Sequence, residues 1–471
     1  MSIKPIHKYL INLLFPIFLL AQNQSSISYL PIEYFYFNEP DLFAYTKYAD
    51  KNVLSTAIEY KLLYSEKRVG KIIHDLYFWR QENQLDTQID IANFKLNMSF
   101  LTSVENKYLK YSSSKNGVIK INTYNFLSFA QFSFPVRSYL DLNFGIGLRY
   151  IEESNAPVKF GFTLKPFNSI HFNYAKLFDY SRMDTDFIYS GDRESLTINS
   201  KMDKDFINLT VNLWKRLQFK ATAVLTDFKT PKISDKSMLP LSGEIVNSNL
   251  HLNFDVLKNI NVFFDYEIQQ GDFSGRFYYK KQVFGSLNQV DYFRNFVTAG
   301  LKVRNISLSF GSGHGDAKIS GYIESWPFTP VWADLLGLRS NAKTYFEYSD
   351  KLLSLKYINS FSQIDYHVAL GWQQIKPDAE LRTWEPLFLV FGQQNLQIND
   401  LRIKSHDGLD LSLRLSKTFF EVLKTNYTFT QYIPIYTIYQ KKNVSGGSTG
   451  SKDEKSVYGG GHHTLRVSYY F

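Results

Sequence analysis

The residue types best suited to catalysis occur in the segment Gly-Ser-Gly-His-Gly-Asp at positions 311–316. Ser312, His314 and Asp316 are the three members of a hydrolase triad, in which the acid orients the histidine that takes the serine proton. A triad needs these side chains within hydrogen-bond reach of one another. Residues two apart on a strand are separated by about 6 to 7 Å along the backbone, and the glycines favour a loop or bulge. We therefore expect no catalytic site here.

Other chemical motifs are weak or missing. His462 and His463 are adjacent, and adjacent strand residues point to opposite faces, so they make a poor metal site. The chain has no cysteine, which excludes a thiolate metal site. It has no phosphate-binding glycine loop, zinc-protease motif or EF-hand loop. We expect no metal, no cofactor and no enzymatic activity.

The bulk composition argues against a nucleic-acid partner and for dispersed aromatic residues. The net charge is +9, but lysine and arginine are spread along the chain and do not form a basic cluster. The chain contains 33 tyrosines and 40 phenylalanines although its mean hydropathy is −0.25. The aromatic side chains therefore alternate with polar ones and are not gathered into one apolar segment.

The first 21 residues have the pattern of a cleavable export signal. Lys4, His7 and Lys8 form the positive end, residues 10–20 the apolar stretch, and Ala21 the small residue before cleavage at Gln22. An N-terminal membrane anchor, the alternative, needs about 18 to 20 apolar residues. No other apolar run of that length follows, so a mature chain that spans a membrane must do so with strands.

Apolar and polar residues alternate with period two in many segments. The clearest is residues 140–150, where Leu140, Leu142 and Phe144 alternate with Asp141 and Asn143. The pattern recurs at residues 207–213, 250–256, 260–268, 297–304 and 409–416. A sheet with one apolar and one wet face explains it.

The connections between these strands alternate in length. Tight turns are predicted at residues 135–138, 166–169, 214–216, 257–259, 304–305 and 349–351. Longer polar loops are predicted at residues 181–193, 229–243, 271–289, 321–342 and 441–461. Short turns on one side and long loops on the other are typical of membrane barrels. Residues 362–404 contain turn signals at 376–378 and 392–395 that allow more than one register.

The last strand, residues 463–471, carries the most specific motif. Leu465, Val467, Tyr469 and Phe471 share one face, and the chain ends on the phenylalanine. This pattern resembles the C-terminal strand of bacterial outer-membrane β-barrel proteins. The resemblance implies recognition by the barrel-assembly machinery, insertion into the outer membrane of a Gram-negative bacterium, and contact with its bilayer and lipopolysaccharide.

Together these features predict an all-β protein, a closed antiparallel transmembrane β-barrel of about 18 strands, with 16 to 20 allowed, each of about 9 to 11 residues. Its turns are periplasmic and its long loops extracellular. We predict a signal peptide at residues 1–21, an N-terminal segment at 22–52 and the barrel at 53–471. The N-terminal segment is a lumenal arm, an extra strand or a small periplasmic piece. The oligomeric state stays open.

The predicted inner face carries charges of both signs, with bases slightly in excess, which hints at anions. The alternative is that these charges only solvate a wide interior. The predicted pore-lining residues are Arg149, Lys165, His171, Lys220, Asp255, Asp265, Glu267, Lys302, Arg304, Arg414 and Arg466. Within the loop at 321–342, Trp326, Trp332 and Asp334 either constrict the pore or pack at the rim beside the lipid headgroups.

Three functions follow from this reading. The first is a porin-like channel for passive diffusion of small hydrophilic solutes. The second is a barrel that transports nothing and acts in secretion, envelope assembly or surface interaction. The third is a surface hydrolase, which the poor triad geometry disfavours.

Overall fold

A computed structural model describes most of the chain from residue 53 onward. The described residues are 53–65, 73–91, 94–111, 117–151, 153–189, 192–214, 216–232, 240–279, 282–324, 339–361, 363–384, 398–445 and 448–471. The predicted signal peptide, the segment 22–52, and Trp326, Trp332 and Asp334 lie outside them. In the described ranges no helix is long and apolar enough to cross a membrane.

The described chain is built of β-strands. In order they are β1 (Val53–Ser65), β2 (Ile73–Ile91), β3 (Phe94–Tyr111), β4 (Gly117–Arg137), β5 (Leu140–Ile151), β6 (Glu153–Asn155), β7 (Val158–Phe167), β8 (Ile170–Tyr189), β9 (Asp192–Leu213), β10 (Leu217–Lys229), β11 (Leu241–Leu257), β12 (Ile260–Tyr279), β13 (Gln282–Val303), β14 (Ile306–Glu324), β15 (Arg339–Phe361), β16 (Ile364–Trp384), β17 (Ile398–Phe419), β18 (Leu423–Ser445) and β19 (Ser448–Tyr470).

These strands close into one antiparallel barrel. Each long strand pairs with its neighbours in the sequence, and β1 pairs with both β2 and β19, which completes the ring. The three-residue β6 pairs with β5 beside the wall. Leaving β6 aside, the part of the chain that the structure describes supplies 18 wall strands. The predicted all-β class, barrel closure and strand number are confirmed.

The two faces of the wall differ as the period-two pattern predicts. On β5, Leu142, Phe144, Ile146 and Leu148 are exposed, whereas Arg149 on the opposite face is buried. Large apolar side chains are exposed in the same way on strands around the ring. We call this apolar side the outward face and the other the inward face. An outward apolar belt on a closed barrel is what a lipid bilayer covers.

The tight turns that the structure describes in full lie at one end of the barrel, which we call the turn end. At the other end, two residues separate the paired ends of β8 and β9, of β12 and β13, and of β18 and β19. The predicted turns are found at residues 138–139, 168–169, 258–259 and 304–305, and another occurs at 420–422. Trp214, Arg304 and Phe420 have φ values of 52°, 51° and 52°. Arg304 lies in a two-residue turn, whereas Trp214 and Phe420 begin three-residue turns. Tight hairpins commonly contain residues with positive φ, and here non-glycine residues supply them.

Toward the other end, the loop end, the strands are longer than predicted. β15 has 23 residues and runs through the turn predicted at 349–351, which is therefore wrong. The loops predicted at 181–193, 271–289 and 441–461 are also wrong, because the described residues in these ranges continue the strands β8, β9, β12, β13, β18 and β19. The turn signal at 376–378 is a register irregularity inside β16, between Ile375 and Ala379.

These predictions fail because the outward residues change from apolar to polar above the belt, while the strands remain paired. Above the apolar belt, carboxylates lie directly opposite one another on five adjacent strands: Asp203, Asp227, Glu244, Asp272 and Asp291. Lys229 forms ion pairs with Asp203 and, at 3.4 Å, with Asp227. Such polar stretches look like loops in a sequence, yet main-chain pairing carries the strands through them.

The wall forks at β4. Residues 126–137 of β4 pair with β5, but residues 117–121 pair with β8. The hairpin formed by β5 and β7 therefore fills the space between β4 and β8 only toward the turn end. The ring has two strands fewer at the loop end, and its perimeter is correspondingly smaller.

Gly243 on β11 is a point of close approach in this wall. Its φ is +134°, and a Cβ there would lie 2.3 Å from the carbonyl oxygen of Asp272. We expect Gly243→Ala to lower the free energy of unfolding by about 1 to 3 kcal/mol, because backbone has to move. Urea unfolding in detergent, followed by tryptophan fluorescence, measures it. Gly461→Ala is the control, since the nearest atom to its new Cβ is 3.5 Å away; equal losses in both variants would contradict the expectation.

Candidate functional site: the barrel lumen

On the inward face of the described wall, charged side chains lie at the level of the apolar belt around most of the ring. This face is therefore the candidate site. The strand registers place ten of the eleven predicted pore-lining residues on it: Arg149, Lys165, His171, Lys220, Asp255, Asp265, Glu267, Lys302, Arg414 and Arg466. Arg304 differs, because it lies in the turn after β13 and not in the wall.

A buried ion pair lies at the fork in the wall. The guanidinium of Arg149 on β5 is 2.8 Å from the carboxylate of Asp179 on β8, and both side chains are almost inaccessible, at 1% and 0% exposure. The other oxygen of Asp179 accepts the backbone N–H of Tyr180 at 2.8 Å. Asp179 comes just after Phe178, the last β8 residue that pairs with β7. Through this ion pair, Asp179 on β8 holds the loop-end part of β5 at the point where the pairing of β8 with β7 ends.

An apolar cluster lies next to this ion pair on the inward face, since Leu127 is directly opposite Arg149 and Leu177 precedes Asp179 by two residues on β8. Leu101, Leu127, Phe129, Leu177 and Phe206 are buried together there, and Lys159 donates a 3.0 Å hydrogen bond to Gln131 beside them. This sector of the interior, from β3 to β10, is packed and not simply hydrated. The sequence signal for it is residues 126–132 of β4, where apolar residues occur on both faces without period two.

The inward face of β11 and β12 is acidic and hydrogen-bonded. His251 Nδ1 lies 2.6 Å from Asp265 Oδ1. Asn261 donates to Asp255 at 2.8 Å, and Gln269 donates to Glu267 at 2.9 Å. All three carboxylates lie on adjacent strands and remain accessible from the lumen. They form a stripe of negative charge along this part of the wall.

A basic patch continues from that stripe across β13 to β17. Lys302 and Lys356 are paired with the same residue, Ser307, from its two sides. On the next strands His367 lies directly opposite Arg414, and Lys302 acts on the same imidazole electrostatically. Lys302, Lys356 and Arg414 are all exposed. We call Lys302, Lys356, His367 and Arg414 the basic patch.

Sequence reasoning found only half of this patch. Lys302 and Arg414 lie in segments whose period-two pattern is clear, so their face could be assigned. The sequence pattern does not identify Lys356 and His367, because it predicts a turn at 349–351 and allows more than one register for residues 362–404. Once β15 is continuous from Arg339 to Phe361, Lys356 falls on the inward face.

The serine, histidine and acid at 311–316 do not form a triad. Ser312, His314 and Asp316 lie on the outward face of β14, at successive positions along the strand. His314 Nε2 is 3.9 Å from Glu347 on β15, which draws it toward the neighbouring strand. His463 is also outward, where it bonds to the hydroxyl of Tyr427 at 2.9 Å. Among the described residues no three His, Asp or Glu side chains converge as metal ligands.

The C-terminal motif lies on the outward face. Leu465 and Tyr469 are exposed there, with Val467 between them, and the ring of Tyr469 stacks on Phe471 with centroids 6.0 Å apart. The motif therefore presents an apolar edge beside β1, where the barrel closes.

Comparison with known proteins adds little to this description. No family model matches the chain, and no curated protein matches it. Among solved structures, Pseudomonas aeruginosa OccK7 (OpdD) aligns over 89% of this chain and 99% of its own, with 9% identity and a TM-score of 0.42. Acinetobacter baumannii OccAB2 aligns over 90% and 98%, with 10% identity and a TM-score of 0.40. P. aeruginosa OprD aligns over 89% and 95%, with 8% identity and a TM-score of 0.34.

The ion pair at the fork gives a stability prediction. Asp179→Asn leaves the Arg149 guanidinium buried without its counter-charge, so we expect the free energy of unfolding to fall by about 3 to 5 kcal/mol. Lys165 and Asp141 form an exposed inward pair, at 43% and 23% exposure. Asp141→Asn is the matched control and should cost less than about 1 kcal/mol. Retention of the heat-resistant folded band on gels after graded heating compares them; equal behaviour of the two variants would refute the role of the buried pair.

Proposed function

We propose that this porin-like barrel lies in the outer membrane of a Gram-negative bacterium and is a channel for passive diffusion of small hydrophilic solutes. The observation that carries the proposal is the two-sided wall. Exposed apolar side chains form its outward face, whereas exposed charged side chains lie on its inward face. A closed wall with these two faces separates lipid from a polar interior.

The size of the ring supports a channel. Eighteen wall strands are found in the described chain, and barrels of about 16 to 18 strands leave an aqueous passage. The packed cluster around Arg149 and Asp179 narrows one sector, so solutes pass along the side lined by the acidic stripe and the basic patch. The predicted export signal and the C-terminal motif support delivery to the outer membrane by the barrel-assembly machinery.

The basic patch supports a preference for anions. Lys302, Lys356 and Arg414 are exposed and adjacent, and none of them has an ion pair recorded within the described ranges. The acids of the neighbouring stripe lie on β11 and β12 and are hydrogen-bonded to His251, Asn261 and Gln269, so they do not form ion pairs with these three cations. Uncompensated positive charge in a lumen raises the local concentration of anions.

A barrel that transports nothing is the second candidate. The feature that favours it is the length of the strands beyond the apolar belt, which presents a broad charged wall at the loop end. Such a wall suits surface interaction or envelope assembly. Purification of a stoichiometric partner with a protein that never conducts would support this function over the channel.

Conductance and ion selectivity test the channel. We expect the refolded protein to conduct in planar bilayers and to favour anions in a salt gradient. Replacing Lys302 and Arg414 together by glutamate should lower the anion-to-cation permeability ratio several-fold or reverse it, because the field in the lumen changes sign there. Lys351→Glu is the control, since Lys351 is exposed on the outward face and should leave selectivity unchanged.

Two outcomes would contradict the proposal. A bilayer that stays closed at every voltage, with protein shown to be inserted, would remove the channel. Conductance with a selectivity that the double variant leaves untouched would remove the role of the basic patch.

A further inference from the structure

The apolar belt is interrupted by polar side chains on β1, β2 and β3. Thr56 donates a hydrogen bond to Asn83 at 2.8 Å, and Asn83 donates one to Thr102 at 3.2 Å. The three residues lie directly opposite one another on adjacent strands, and all are exposed. We call Thr56, Asn83 and Thr102 the polar island.

The island lies within the belt and not above it. Along β1, Thr56 is flanked on the same face by Leu54 and Ile58, which are 51% and 42% exposed. On β3, Phe100 and Val104 flank Thr102 on the same face, and on β2 Leu85 lies below Asn83. Apolar outward residues therefore continue on both sides of the island on β1 and β3, whereas on β2 Gln81 follows Asn83 on the loop side.

Hydrocarbon is a poor environment for these groups. The two hydrogen bonds use one amide proton of Asn83 and the hydroxyl proton of Thr56. The second amide proton of Asn83 and the hydroxyl proton of Thr102 have no acceptor recorded in the described chain. An unsatisfied donor in the lipid core costs free energy, so lipid-facing polar groups are normally covered by protein.

We propose that the polar island is the contact surface for a second copy of this chain within the membrane, an inference that rests on the barrel spanning a bilayer. The island has no net charge, so two copies do not repel one another. Asparagine offers a donor and an acceptor together, which makes the island complementary to itself. A two-fold contact pairs each surface patch with the same patch of its mate.

Membrane insertion fits this symmetry. Both copies enter in the same direction, so the two-fold axis runs along the membrane normal and brings the two islands to the same depth. Directly beside Thr56, β19 presents Val467, a half-buried apolar residue, on the outward face. A short apolar side chain therefore borders the island on this side.

Disulfide trapping tests the contact without disturbing the island. The chain has no cysteine, so in vesicles of the purified protein an introduced cysteine can form a disulfide only with that of another copy. In lipid vesicles under mild oxidation we expect Ile58→Cys to give a covalent dimer. Leu148→Cys, which is 49% exposed on the outward face of β5, is the control and should stay monomeric. Equal trapping at both positions, or none at Ile58→Cys, would overturn the inference.

A second variant separates contact with protein from contact with lipid. Combined replacement Thr56→Val, Asn83→Leu and Thr102→Val should abolish the dimer seen by light scattering in detergent while the single-channel conductance persists. A wild-type chain that is monomeric by the same measurement, or a triple variant that stays dimeric, would overturn the inference. The inference would also be overturned if Ile58→Cys in native membranes formed a disulfide only with a different protein.

The outcomes also distinguish this inference from the proposed channel. A chain that floats with vesicles and forms the trapped dimer, yet never conducts, refutes the channel and keeps the contact. A chain that conducts and shows no dimer keeps the channel and refutes the contact. A chain that fails to float with lipid removes both.

Discussion

The pairing of β1 with β19 is the constraint on which the rest of this structure depends. A sheet left open has two rows of backbone N–H and C=O groups without partners, and lipid offers none. Closure over Val53 to Ser65 satisfies both rows at once. It also creates the two surfaces from which function follows, because a ring, unlike an open sheet, encloses one face. Side-chain alternation then places apolar residues on the face toward lipid and charged residues on the enclosed face.

The sequence is informative where alternation is strict. Leu142 to Leu148 and Leu409 to Leu415 identify their strands and faces, and the short turns at 258–259 and 304–305 fix the pairing of β11 with β12 and of β13 with β14. From these segments the barrel class, the strand number and the inward position of Lys302 and Arg414 could be predicted. A shift of one residue in the register of such a strand would exchange all its side chains between lipid and lumen. The assignment of its two faces is therefore robust.

Prediction failed where the outward face is polar. Ser349 and Asp350 are common turn residues, yet they lie inside β15, because main-chain pairing with β14 and β16 continues beyond the apolar belt. For the same reason Lys356 and His367 were not assigned to the lumen. The buried pair of Arg149 and Asp179 was missed for a different reason: the residues are 30 positions apart in the chain, and only the fork in the wall brings them together. Local patterns carry no information about such a junction.

The fork has a consequence for how barrels of this kind change size. β4 and β8 are antiparallel and already pair at the loop end, and the hairpin between them consists of two wall strands. Its removal would leave the direction of every remaining strand unchanged and would let the existing β4 and β8 pairing extend toward the turn end. The hairpin is therefore a separable module in geometric terms, and the molecule shows a small and a large barrel joined in one wall. Growth by insertion of a single hairpin, without rearrangement of the strands already in place, is the evolutionary step that this geometry permits.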